Sequence, residues 1–372
     1  MGRGPAVEIS LAAIKHNYEL VRVLTGNRRV VATVKADAYG HGAVEAALML
    51  EKLGVYCLGV AYGSEAVELR RCGINKTPIL VYFDNIDAAD IVKYDLTPIV
   101  YGAGTADSLS DAALRQNHRI DIHVDIDTGM GRVGFLYDRE IDAIKAISRL
   151  RGVRVTGFMS HFSEADLKDR SFAALQSERF LRVREELSGI FKDAIWHMAN
   201  SAAVMTYPAS HLDAVRPGLI LYGSDSLQPG CPRSETAAFR PAMAVKARLL
   251  HIRRVPAGRS ISYGRTFVTE RESVVGVVGT GYADGYPRSL SNKAHVLING
   301  QYAPVIGRIC MDVTMVDLTD CHGAKENGEA VLIGRQGDKE ITASELAEWA
   351  GTISYEILIS LGRVNSRVSC IS

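Results

Sequence analysis

From Leu11 to about Gly223 short β-branched runs alternate with amphipathic helical stretches, a rhythm that restricts the fold more than any other feature of the chain. Strands are expected at 30–35, 56–61, 78–82, 97–101, 120–127, 153–160, 195–200 and 214–222, with helices at 14–24, 43–53, 64–72, 106–116, 139–150 and 168–187. Eight strands interleaved with helices over about 220 residues is the length and cadence of an α/β architecture, the (β/α)8 or TIM barrel. A doubly wound open sheet is the competing arrangement, but it usually carries a G-x-G-x-x-G turn after its first strand, and this chain has none.

Beyond a polar stretch, 224–236, the texture changes. Short runs at 245–255, 273–279, 294–298, 303–306, 313–317 and 329–333 are divided by Gly, Pro or Asn, with Asn299-Gly300 as a hairpin signal. Helices are expected only at 343–350 and 353–361. The expectation is a barrel over 1–232 followed by a mostly-β C-terminal domain over 233–372.

With 47% hydrophobic residues among 372, a sizeable core follows. Lys plus Arg number 43 against 42 Asp plus Glu, so no electrostatic footprint favours nucleic acid or an acidic membrane. Six scattered cysteines without a C-x-x-C pair suit reduced thiols better than disulfides or zinc. No metal is expected. The chain shows neither an apolar signal core nor a stretch of membrane-spanning length, so a cytoplasmic protein is expected.

Barrel active sites lie at the C-terminal strand ends. The first strand runs into Lys35, followed by Tyr39 and a Gly40-His41-Gly42 turn. A lysine closing an apolar strand must find a partner, reach for solvent, or lose its charge. In the last case it is the nucleophile that a carbonyl cofactor such as pyridoxal phosphate (PLP) requires. Strand five supplies His123, Asp125 and Asp127 on one side, then Arg132; strand six His161; strand seven His197, Asn200 and Ser201; strand eight Arg216-Pro217-Gly218. The last is either a tight turn or a phosphate cradle, since barrel phosphate sites commonly follow strands seven and eight.

The ordered set V-K-A-D-A-Y-G-H-G, D-T-G-M-G-R, a strand-six His, N-S-A, V-R-P-G, S-Y-G-R-T, G-Y-A-D-G and G-R-I-C-M-D, spanning Val31 to Tyr355, resembles the alanine racemase family. The resemblance implies a PLP-dependent isomerase interconverting L- and D-alanine in a head-to-tail homodimer, with D-alanine feeding peptidoglycan. Each site would join one subunit's barrel to the other's β domain. It implies that Lys35 carries PLP and serves as one base, Tyr263 of the other subunit being the second. Arg216 would face the pyridine nitrogen, and His161 would link Arg216 toward Tyr263. Tyr39, Asn200, Ser201, Gly218, Leu219 and Tyr355 would help hold the cofactor, mainly its phosphate. Arg132 and the Met311 backbone would receive the substrate carboxylate, while Tyr282, Arg288, Arg308, Asp166 and Ile353 would line the entrance.

One position departs from the pattern. Many relatives carry a carbamylated lysine two residues before D-T-G, where this chain has Asp125. Asp125 is expected to stay ionised beside Arg132 without dependence on bicarbonate; either it holds the arginine directly, or Arg132 is held in another way. A serine or broad-spectrum racemase is the alternative within the fold, and Tyr355 argues against it. A decarboxylase of this fold and a non-catalytic PLP-binding barrel fit less well, the latter because of the second domain.

Overall fold

The computed structural model describes residues 4–84, 86–228, 230–231 and 238–370. The expected 232/233 boundary lies outside these. Strand β1 (Ala6–Ser10) precedes eight parallel barrel strands: β2 (Arg29–Thr33), β3 (Cys57–Val60), β4 (Ile79–Val81), β5 (Leu96–Val100), β6 (Ile120–Asp127), then, after the two-residue β7 (Phe135–Leu136), β8 (Val153–Met159), β9 (Ile195–His197) and β10 (Ala214–Val215). Pairing of β5 with β6 and of β10 with β2 closes the cylinder. Helices cover its outside, burying one face each against it: Ile14, Tyr18 and Val21 of Leu11–Leu24 are examples.

Several strands are shorter than expected, β3, β4 and β9 among them, and the differences in β2 and β10 shape the site. β2 stops at Thr33, so Lys35 opens a turn rather than closing a strand. β10 holds only Ala214 and Val215; Pro217 and Gly218 break it, and the apolar run continues as a 3-10 turn, Leu219–Tyr222. In a fully buried segment, periodicity cannot separate strand from helix.

The second sheet contains β11 (Met243–Val255), β14 (Ser273–Val278), β15 (His295–Ile298), β16 (Gln301–Pro304), β17 (Thr314–Asp317), β18 (Glu329–Gln336), β19 (Lys339–Ile341) and β20 (Arg367–Cys370), and it recruits β1 between β11 and β20. The small antiparallel pair β12 (Ser260–Ile261) and β13 (Phe267–Val268) stands apart. Asn299 and Gly300, at φ 50° and 73°, form the β15–β16 hairpin turn. Helices Ala343–Ala350 and Ser354–Val364 complete this domain, the second packing against the turn that follows Lys35. Among the described residues, no helix is long and apolar enough to cross a membrane.

Candidate active site

After Lys35 the backbone enters a left-handed turn, with Ala36, Asp37, Ala38 and Tyr39 at φ 52°, 57°, 52° and 56°. Left-handed helix costs an L-residue about 1–2 kcal/mol, so the surroundings must impose it. Glu65 does part of this: its carboxylate accepts from the N–H groups of Ala36 (2.7 Å), Ala61 (2.8 Å) and Tyr62 (3.1 Å). Asp37 accepts from the Ala43 N–H at 2.8 Å and pairs with Arg367 of β20. Gly40 closes the turn where a Cβ would lie 2.5 Å from the Leu358 carbonyl oxygen. The turn leaves Lys35 in the barrel mouth, lining a cavity with Tyr39, His161, Ser201, Arg216 and Tyr355. Burial lowers the Lys35 pKa, Arg132 and Arg216 lower it further, and Glu65 opposes them.

Arg216 is 5% exposed, and its resolved hydrogen bonds all go to neutral acceptors. It donates to His197 Nδ1 (2.8 Å) and O (2.7 Å), Ser160 O (2.5 Å), Met198 O (3.3 Å) and His161 Nδ1 (3.3 Å). A guanidinium only donates, so these imidazoles accept at Nδ1 and carry their proton on Nε2. His197 Nε2 then donates to His123 Nδ1 at 2.9 Å. Burial, reinforced by the Arg216 charge, lowers the pKa of all three histidines, that of His123 to about 3, so the string is neutral. Gly157 makes room for it: a Cβ there would sit 2.5 Å from the His123 ring.

Opposite Lys35, short helices Ser201–Thr206 and Leu219–Tyr222 bring their N-termini together. Asn200 caps the first, accepting from the Ala203 N–H at 3.0 Å. The Ser201 hydroxyl accepts from the N–H groups of Gly218 (2.9 Å) and Ile220 (3.4 Å). A Cβ on Gly218 would lie 2.4 Å from the Tyr39 hydroxyl, so only glycine admits this approach. The Tyr355 and Tyr39 ring centroids are 5.7 Å apart. Two helix N-termini and the Ser201 and Tyr39 hydroxyls thus lie together, an arrangement of the kind that accommodates an anion.

Arg132 stands on a loop bent by Gly129, Gly131 and Gly134, at φ 138°, 67° and 115°. Asp127 ties the loop, accepting from the N–H groups of Gly129 (2.8 Å) and Gly131 (3.1 Å). Asp125, by contrast, is 4% exposed, and burial pushes its carboxyl from an ordinary 3.8 up to about 7, with Arg216 and Arg132 only partly offsetting the shift. Arg132 does lower the pKa, but the expectation that Asp125 stays ionised at neutral pH is corrected: desolvation outweighs attraction. Between these two values the folded protein holds a proton that the unfolded chain releases. Stability attributable to Asp125 thus falls as pH rises from about 4 to about 7, then levels off. Asp125→Asn is expected to exceed the parent in stability by on the order of 1–3 kcal/mol at pH 8, the gap shrinking toward pH 4. Urea melts at pH 5 and pH 8 measure it; an equal gap at both would mean the carboxyl is ionised throughout.

The chain matches the models for the alanine racemase N-terminal domain over residues 9–226 and the alanine racemase C-terminal domain over 242–369. It is 44% identical over 366 residues to the alanine racemase of Thermodesulfovibrio yellowstonii, covering 97% of this chain and 96% of that protein. The chain belongs to the alanine racemase family. Alanine racemases are also its structural neighbours. The Streptomyces lavendulae enzyme superimposes with a TM-score of 0.92 at 34% identity, covering 100% of this chain and 98% of that one. The Clostridium difficile 630 enzyme gives 0.90 at 35% identity, with 100% and 96% covered.

In this alanine racemase fold the remaining expected residues divide between two surfaces. Leu219 is buried at the N-terminus of its turn and contributes backbone. Tyr263, Met311 and Tyr282 do not line the Lys35 cavity; they are 69%, 53% and 44% exposed. Hydrogen bonds gather them on one face of the second domain: the Tyr282 and Ala283 N–H groups donate to the Cys310 and Met311 carbonyls at 3.1 and 3.0 Å, and the Ser262 hydroxyl donates to the Arg308 carbonyl at 2.5 Å. Ser262, at φ 63°, holds Tyr263 at the tip of the β12–β13 pair. Exposed Ile353 and half-buried Asp166 line a separate cleft between the domains. Glu65 and Arg367, which brace the turn, and Phe83, which lines the cavity, are not among the residues expected from the sequence. Phe83 alone had a usable signal there, as an aromatic residue just past a barrel strand end.

Proposed function

We propose that this alanine racemase fold works as a PLP-dependent homodimer, each site joining one barrel to the partner's β domain. The carrying observation is the division just described: the barrel mouth holds Lys35, Arg216 and an anion cradle, while Tyr263 is exposed on another face. Racemisation requires proton removal on one face of the α-carbon and delivery on the other, hence two bases.

The residues present suit PLP. Lys35 offers a desolvated amine; Tyr39, Asn200, Ser201, Gly218, Leu219 and Tyr355 surround the cradle for its phosphate; Arg216, held by His161 and His197, presents donors to its ring nitrogen. When bound, the cofactor supplies the electron withdrawal that acidifies the α-proton of an amino acid. Lys35 then holds or returns a proton on one side, and Tyr263 of the partner subunit on the other. Arg132 and the backbone of Met311 of the partner subunit receive the substrate carboxylate, and Tyr282 of the partner subunit lines the entrance. Tyr355, packed against Tyr39, narrows the pocket, and a smaller residue there would better admit a hydroxymethyl group, so alanine is favoured over serine. D-alanine for peptidoglycan is the product role that follows.

The test is the visible spectrum of the purified protein before and after borohydride, with circular dichroism of L-alanine and L-serine reactions. A bleachable band and an equal mixture of alanine isomers are expected, with serine slower. A bleachable band without D-alanine would overturn the racemase reading, and equal rates on serine would favour the broad-spectrum alternative.

A further inference from the structure

We infer that the Phe83 ring seats the Arg132 guanidinium in the substrate pocket, making Phe83 a positioning residue for the group that receives the substrate carboxylate; this rests on the role proposed for Arg132. The Arg132 Cζ lies over the Phe83 ring, 4.9 Å from its centroid. That is within the roughly 6 Å over which a ring quadrupole attracts a cation. The ring is itself fixed. The Phe83 N–H donates to the Ala61 carbonyl at 3.0 Å, just past the end of β4, and the side chain packs against the buried cluster that includes Val31, Leu80, Ile99 and Met159. The second cation near it, Lys35 Nζ, is further away at 5.8 Å.

Arg132 needs such a seat. It stands on a loop with three positive-φ glycines, and among the described residues no ion pair includes it. Asp125, the nearby carboxyl, is pushed up to about 7 by burial and gives no full counter-charge at neutral pH. A carboxylate holding Arg132 would also compete with the substrate carboxylate for the same N–H groups. An aromatic face uses the flat side of the guanidinium and leaves its N–H edge free for a bidentate partner.

Replacing Phe83 in the holoenzyme by mono-, di- and trifluorophenylalanine keeps the ring shape nearly constant while weakening its π face in steps. The probe is propionate, a carboxylate of alanine's size without the amine, with its Kd measured calorimetrically. Kd is expected to rise with each fluorine, reaching about two- to fivefold at three. The KM for alanine should follow, with a smaller change in kcat. In an Arg132→Ala background the series should be flat, because the coupled partner is gone. A flat series in the parent, while Arg132→Ala itself weakens propionate, would show that the ring only packs and would overturn the inference. Propionate binding untouched by Arg132→Ala would instead overturn the role given to Arg132, and the inference with it.

Discussion

Lys35→Ala is expected to lower racemisation by at least about a thousandfold while leaving the fold intact, because it removes a base and the cofactor attachment together. The fold should survive because the strained turn does not depend on the amine. Glu65 holds the Ala36 N–H, Asp37 is tied to Ala43 and Arg367, and Gly40 packs under Leu358. The measurement is alanine racemisation by circular dichroism, alongside the thermal melt and the mass of the borohydride-treated protein. A native melt without a covalent cofactor mass is the expected outcome. A variant still trapping PLP at native stoichiometry would show that another lysine carries it.

Tyr263→Phe should cost about 10²–10⁴-fold, and unequally in the two directions. If Tyr263 takes the α-proton of L-alanine, the variant loses exchange of that proton with solvent but keeps exchange into D-alanine through Lys35. Mixing the two inactive variants gives the sharper test. A mixed dimer pairs the intact Lys35 of one chain with the intact Tyr263 of the other at one of its two sites. Equal mixing with free exchange makes half the dimers mixed, so about a quarter of parental activity should return. Subunits shown to exchange without regaining activity would place both bases in one chain. The exposure of Tyr263 and its absence from the Lys35 cavity argue for the shared site.

The barrel was legible in the sequence because eight buried parallel strands cannot be written without β-branched runs at regular spacing; β6 matches its expected span, Ile120–Asp127. The ends of β2 and β10 were not, because what terminates them is tertiary. A left-handed turn after Thr33 exists only because Glu65, Arg367 and Leu358 hold it from three other segments. Likewise β1 reads like any short apolar segment, and its place between β11 and β20 depends on partners more than 200 residues further along the chain.

The candidate site divides in the same way. Sequence alone determined which chemical groups are present, in what order and at which strand ends: Lys35, Arg132, His161, Arg216, Gly218 and, in the second domain, Tyr263. Only the tertiary structure decided their states and neighbours. Asp125 reads as an ionised partner of Arg132, yet burial raises its carboxyl to about 7. Phe83, which the sequence marks only as an aromatic residue past a strand end, lies beneath the same arginine. Charge and residue type are written locally, whereas desolvation and the face a cation rests on are set by everything packed around them.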